Sequence, residues 1–274
     1  MNTQHIFTEN AAYQKFEVLL SNRNKRHRYS EFLVEGVRNI NEAVKNNWQI
    51  TSFIYPHGTA LSGWASGLIG GVTTETNYAL SKDLMAKLSG KEKTSELLAV
   101  ASMKKGSEGS LGENPVIALF DRPSNKGNLG TMLRSCDAFG VERLIVTGHS
   151  VDVYDPEVIG ASMGSFFSAP FLTLADNPEI TAYMANLKQN YPLLKIVGTT
   201  SHKGTAVYDI DMTTPVLFLI GNEAQGLSRL YLEISDVYAT IPMSGRSSAS
   251  SFNVSCAATV VFYEANRQRA KIVK

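Results

Sequence analysis

Five short apolar runs in the second half of the chain, each bounded by polar or turn residues, set the strongest limit on the fold. They span residues 116–120, 144–146, 194–197, 216–220 and 237–241, and helical patterns separate them. A run without polar alternation suits a strand covered on both faces. Strands alternating with helices predict a parallel sheet with helices on both sides, and ligands in such sheets bind beyond the carboxyl ends of the strands. The segments to search for chemistry are therefore those just after each run.

The front half reads as a smaller α/β unit. Phe32, Leu33 and Val34 form a short strand, and Val37, Ile40 and Val44 then recur at helical spacing. A second strand covers 50–55 and stops at Pro56; a helix over 82–88 precedes a third strand over 97–102. Residues 104–114 hold three glycines and no apolar periodicity, which is linker composition. A chain of 274 residues has room for two domains. The boundaries expected are 1–105 for a first domain, 106–114 for the linker and 115–274 for a second.

With 43% hydrophobic and 19% charged residues the chain can bury an ordinary core. The first ten residues lack a basic, then apolar, export pattern, and no apolar run approaches about 18 residues, so neither secretion nor membrane insertion is expected and the cytoplasm is. Cys136 and Cys256 each fall in a helical stretch and read as buried thiols. Five scattered histidines show no ligand spacing, so no metal is expected. The net charge is +1, but residues 1–105 carry +4 and the remainder −3. The densest basic run, Arg23, Lys25, Arg26, His27 and Arg28, is interleaved with Asn22, Asn24 and Tyr29. That mixture suits phosphate contact with base stacking, although a bare charge cluster also describes a solvated surface.

Three segments after strands stand out. After 116–120 comes an Asn- and Gly-rich turn leading into a helix, with Asn128 and Arg134 six residues apart, and the free N–H groups of a helix start favour an anion. After 216–220 comes Gly221-Asn222-Glu223-Ala224-Gln225-Gly226-Leu227, whose glycines permit close backbone approach and whose Glu223 sits at a strand tip. The third segment begins at Ile241-Pro242-Met243 and continues through a serine-rich loop to Ser251-Phe252-Asn253-Val254, where Ser250 or Ser251 suits a helix N-cap. A P-loop and the dinucleotide fingerprint are both absent, which disfavours kinases and Rossmann dehydrogenases.

Taken together, the three segments resemble the SpoU/TrmH family of ribose methyltransferases, within the knotted SPOUT superfamily. Asn128 to Arg134 matches its Asn-x-Gly-x-x-x-Arg motif, Gly221 to Leu227 its Gly-x-Glu-x-x-Gly-Leu motif, and the third segment its Ile-Pro-Met and Ser-Leu-Asn-Val elements. The basic run followed by Phe32-Leu33-Val34-Glu35-Gly36 resembles the ribosomal-protein-like RNA-binding domain that precedes many such catalytic domains. Two departures occur: five residues lie between Gly245 and Ser251 where three are usual, and Phe252 replaces leucine, so Ser248 or Ser250 can take the role given to Ser251.

The resemblance implies an α/β-knot methyltransferase domain working as a homodimer on structured RNA, rRNA ahead of tRNA, at a ribose 2'-hydroxyl. It implies S-adenosylmethionine held by Thr199, Thr200, Ile220, Gly221, Glu223, Gly226, Ile241, Met243, Ser250 and Phe252. Asn128, Arg134, Glu223, Ser251 and Asn253 are implied as the catalytic set, and Arg23, Lys25, Arg26 and Arg28 as RNA contacts. An arginine, with a pKa above about 12, is a poor base, so Arg134 is read as stabilising the developing alkoxide while phosphate or water takes the proton. A non-catalytic RNA-binding protein on the same fold is the alternative.

Overall fold

Residues 2–89, 94–104 and 110–270 are described by the structure, a computed structural model, and they fall into two units. In the first unit, chain order runs β1 (Thr3–Ile6), α1 (Ala11–Ser21), α2 (Arg23–Tyr29), β2 (Glu31–Glu35), α3 (Val37–Lys45), β3 (Ile50–Pro56), α4 (Gly63–Gly71), β4 (Asn77–Leu80), α5 (Lys82–Ser89) and β5 (Leu98–Ser102). Asparagines start the first two helices: Asn10 accepts from the Tyr13 N–H and Asn22 from the Lys25 N–H, each satisfying a donor that the first turn leaves open. The sheet order is β1-β4-β3-β5-β2, parallel from β1 to β3 and antiparallel on both sides of β5.

The second unit opens with β6 (Val116–Asp121), α6 (Lys126–Ala138) and β7 (Arg143–Thr147). Residues Asp152–Ser168, including α7 (Pro156–Ser162), then belong to the first unit, although the sequence counts them with 115–274. Their side chains explain this. Tyr154, Phe166 and Phe167 surround Phe32 and Trp48 in one aromatic cluster, and the Trp48 indole donates to the Phe167 carbonyl at 3.0 Å. No periodicity within 152–168 announces that destination.

The chain continues in the second unit with β8 (Phe171–Leu174), α8 (Asn177–Asn190), β9 (Lys195–Thr199), β10 (Thr205–Ala206), β11 (Val216–Ile220), α9 (Arg229–Ile234), β12 (Val237–Thr240) and α10 (Val254–Ala270). All seven strands are parallel, in the order β10-β12-β9-β11-β6-β7-β8. The five apolar runs are β6, β7, β9, β11 and β12. The two strands without such a signature, β8 and β10, lie at the edges, where part of each strand meets solvent and need not be apolar. Residues 106–109 of the expected linker lie outside the described residues.

Helix α10 packs along α6, where the Ser135 and Thr259 hydroxyls meet at 2.6 Å. Cys136, in α6, is buried as expected; Cys256, expected to be buried, is exposed on α10.

Candidate active site

At the end of β6, Asn125 accepts from the Asn128 N–H at 2.9 Å and so caps α6. The anion that this helix start favours comes from the chain itself. The Glu223 carboxylate accepts from the Ser124 N–H (3.1 Å), the Ser124 hydroxyl (2.8 Å), the Asn125 N–H (3.2 Å) and the Asn128 amide (3.2 Å). Partial burial pushes the Glu223 carboxyl up, yet the hydrogen bonds from its own and the Ser124 backbone, and from the Ser124 and Asn128 side chains, outweigh it and hold its pKa below the usual value.

Because a carboxylate only accepts, it selects the nitrogen of the Asn128 amide. Asn128 Oδ1 is thereby left to accept from Asn253 Nδ2, at 2.9 Å. Asn253 is also the cap of α10, its Oδ1 accepting from the Ser255 and Cys256 N–H groups at 3.0 and 3.3 Å. The cap expected at Ser250 or Ser251 thus falls on the asparagine, whose carbonyl reaches the first-turn donors. Ser255 Oγ donates to the Asn128 carbonyl at 2.8 Å, so three segments far apart in sequence form one network.

Beside this network, at the carboxyl ends of β9, β11 and β12, lies a cavity of 510 Å³. Asn128, Thr199, Thr200, Gly221, Glu223, Gly226, Ile241, Met243, Ser251, Phe252 and Asn253 line it, all expected from sequence. Glycine at 221 is required by the loop: a Cβ there would lie 2.5 Å from the Gly226 carbonyl carbon and 2.6 Å from the Leu227 nitrogen. Asn222 and Gly226 exchange backbone hydrogen bonds of 2.9 and 3.0 Å across the same loop. Asn222 and Pro242, within segments that the sequence singles out, also line the cavity, as do Ser201, Ala257 and Val261, which went unnoticed. The last two follow Asn253 at intervals of four on α10, a spacing that could have revealed them.

Four expected residues are placed elsewhere. Ile220 is buried within β11 and does not line the cavity. Ser250 is exposed outside it, so of the loop serines Ser251 alone reaches the lining. Arg134 is exposed on α6 and outside the lining, because six residues turn a helix by about 240° and carry it away from Asn128. Arg26, expected to touch RNA, is 1% exposed. It donates to Asp152 at 2.8 Å, Asp155 at 3.1 Å and the Leu19 and Leu20 carbonyls, and its burial keeps it from a phosphate. Arg23 and Arg28 are exposed and Lys25 is half-buried on α2, while the Lys15 ammonium sits 5.3 Å from the centre of the exposed Tyr29 ring.

The sequence profile of the SpoU rRNA Methylase family matches residues 115–263, and that of the SpoU L30e-like domain matches 10–99. The chain belongs to the SpoU rRNA methylase family. A 23S rRNA (uridine(2479)-2'-O)-methyltransferase of Streptomyces viridochromogenes is 41% identical, covering 97% of this chain and 93% of the relative. The 23S rRNA (guanosine(2553)-2'-O)-methyltransferase RlmP of Bacillus subtilis is 26% identical over 89% of this chain and 92% of its own. The crystal structure of the SpoU methyltransferase AviRb from Streptomyces viridochromogenes with AdoMet superposes with a TM-score of 0.88 at 42% identity, over 96% of this chain and 99% of that one. This SpoU chain thus has the methyltransferase fold expected of it, behind an L30e-like domain. Among the described residues no helix is long and apolar enough to cross a membrane, and no group of three or more His, Cys, Asp or Glu is set to hold a metal.

Proposed function

We propose that this SpoU-family methyltransferase transfers a methyl group from S-adenosylmethionine to a ribose 2'-hydroxyl of ribosomal RNA, acting in the cytoplasm as a homodimer. The observation that carries the reading is the Glu223–Asn128–Asn253 network at the mouth of a strand-end cavity. The cavity fits the cofactor in size and in chemistry. A volume of 510 Å³ is ordinary for a small-molecule site, and its lining combines apolar Ile241, Met243, Ala257 and Val261 with polar Thr199, Thr200 and Asn222.

When bound there, S-adenosylmethionine supplies an electrophilic methyl group. The residues of the chain do the remaining work. Glu223 fixes the orientation of Asn128, and Asn128 with Asn253 presents amide groups to the nucleotide in a defined direction, which lowers the entropy cost of aligning the ribose oxygen. Ser251, on the same lining, binds alongside them. Arg134 acts on the developing alkoxide and the adjacent phosphate, and an acceptor on the RNA or in water takes the proton.

Exposed apolar side chains on α10 support pairing of two copies. Val260 and Tyr263 are 38% and 53% exposed, close to the α6 helix that carries Arg134. In this reading the α6–α10 face meets its copy, and Arg134 acts on RNA bound across the pair. Arg23, Lys25 and Arg28 of the L30e-like domain hold RNA phosphates.

Purified protein, labelled cofactor and ribosomal RNA, followed by mass spectrometry of the nucleosides, test the activity. A new 2'-O-methylated nucleoside is expected; label on a base, or none, overturns it. Sedimentation tests the pairing: a dimer is expected for the wild type and a monomer for Tyr263→Glu.

A further inference from the structure

Arg122 borders the site without lining its cavity, and its backbone is held in the left-handed region at φ +49°. Three other described non-glycine residues share that conformation. Ser30 and Met163 are helix C-caps and Asn47 lies just past the end of α3, where such geometry is routine. Arg122 instead follows a strand, so its conformation must be held by contacts from other parts of the unit.

Those contacts converge on one loop. The Arg122 guanidinium donates through Nε and Nη2 to the Asp121 carboxylate, at 2.9 and 3.0 Å, and Asp121 is 2% exposed. Its Nη1 donates to the Gln225 side-chain oxygen at 2.8 Å, and Nη2 also reaches the Gly226 carbonyl at 3.5 Å. The Arg122 carbonyl accepts from the Asn222 amide at 2.7 Å, and Asp121 accepts from the Ser228 N–H at 2.8 Å. Two consecutive residues at the end of β6 therefore fasten the loop after β11 at its start, middle and end. Glu223 stands between the fastened points.

The stem of the arginine is accommodated just as closely. A Cβ at Gly148 would lie 2.7 Å from Arg122 Cγ, so this glycine, itself at φ +66°, leaves the room that the side chain occupies. A solvated ion pair between neighbouring residues would need neither the glycine nor the left-handed backbone.

We propose that Arg122, anchored by Asp121, is a positioning residue for methyl transfer. It clamps the loop from Gly221 to Ser228 so that Glu223 meets the start of α6 and fixes Asn128. The role in catalysis rests on the function proposed above, whereas the clamp itself does not. A guanidinium can grip a carboxylate with two nitrogens and still offer a third to Gln225; an ammonium has one nitrogen and cannot hold both in this geometry.

The test compares full-length wild type, Arg122→Lys and Gln225→Ala by amide hydrogen exchange and by steady-state methylation of ribosomal RNA. In Arg122→Lys, exchange should quicken across 221–228 and stay unchanged in the first unit. The kcat should fall roughly 10- to 100-fold with the RNA KM within about twofold, and Gln225→Ala should show the same pattern more weakly. Wild-type exchange and kcat in Arg122→Lys overturn the proposal, as does a loss of activity that merely tracks the fraction of unfolded protein. If the lysine variant does not fold, Gln225→Ala decides, and wild-type exchange and kcat there overturn it. If the wild type transfers no methyl group, the functional reading fails by itself, and the exchange pattern still confirms or refutes the clamp.

Discussion

Arg26 and Arg122 each tie together segments that are distant in sequence, one in each unit, yet they differ in burial. Arg26 is 1% exposed and surrounded by two aspartates and two carbonyls; the Arg122 side chain is 33% exposed and grips one aspartate and one loop. Removing a partner from a buried pair leaves an uncompensated charge in a poorly solvated place, whereas water can replace the partners of a half-exposed group. The comparison teaches that the same pairing chemistry serves stability in the L30e-like unit and placement of a loop in the methyltransferase unit.

The largest effect should come from the buried member. Arg26→Ala is expected to cost about 3–5 kcal/mol in the first unit, measured by chemical denaturation, because Asp152 and Asp155 lose their cation. A loss below about 1 kcal/mol would break the contrast between the two arginines. Arg134→Lys should come next: exposed and with no ion pair or side-chain hydrogen bond among the described residues, it should leave stability unchanged yet reduce turnover by about 100-fold. Unchanged turnover would remove the two-pronged contact with alkoxide and phosphate.

A smaller effect is expected for Glu223→Gln, which should cost about 1–2 kcal/mol at neutral pH by weakening hydrogen bonds to a charged acceptor. The sign of its pH dependence follows from the direction of the shift. The folded-state pKa of Glu223 is depressed, so its stabilisation is fully present above the ordinary carboxyl pKa of 4.5 and fades as pH falls through the folded value. The gap between wild type and variant, measured by melting, should therefore be constant from pH 6 to 8 and close in acid. A gap that widened in acid would contradict the depressed pKa. The smallest change is expected at Arg28→Ala, which should lower the slope of log RNA affinity against log salt by about one and leave melting untouched.

Much of the second unit was legible because its physics is local. A strand covered on both faces must be apolar throughout, so β6, β7, β9, β11 and β12 were visible as continuous runs, and ligand-facing loops had to follow them. The half-exposed edge strands β8 and β10 carry no such mark. Asn128, Glu223 and Asn253 were legible as motif residues, but their mutual hydrogen bonds depend on which strands are neighbours. Arg26 was misread for the same reason: in sequence it is one more cation in a basic run, and only the return of residues 152–168 buries it against Asp152 and Asp155.

The sequence by itself determined the alternation of strand and helix, the parallel sheet, the three loops where chemistry resides and the family to which they belong. The alternation, the sheet and the loops follow from periodicity and turn residues, which act over a few residues, and the family follows from the resemblance of three short motifs. The tertiary structure alone decided that Glu223 occupies the start of α6, that Asn253 meets Asn128, and that Arg26 is buried against Asp152. A hydrogen bond or a burial reports on residues about 100 positions apart, and their meeting is set by the packing of the whole sheet.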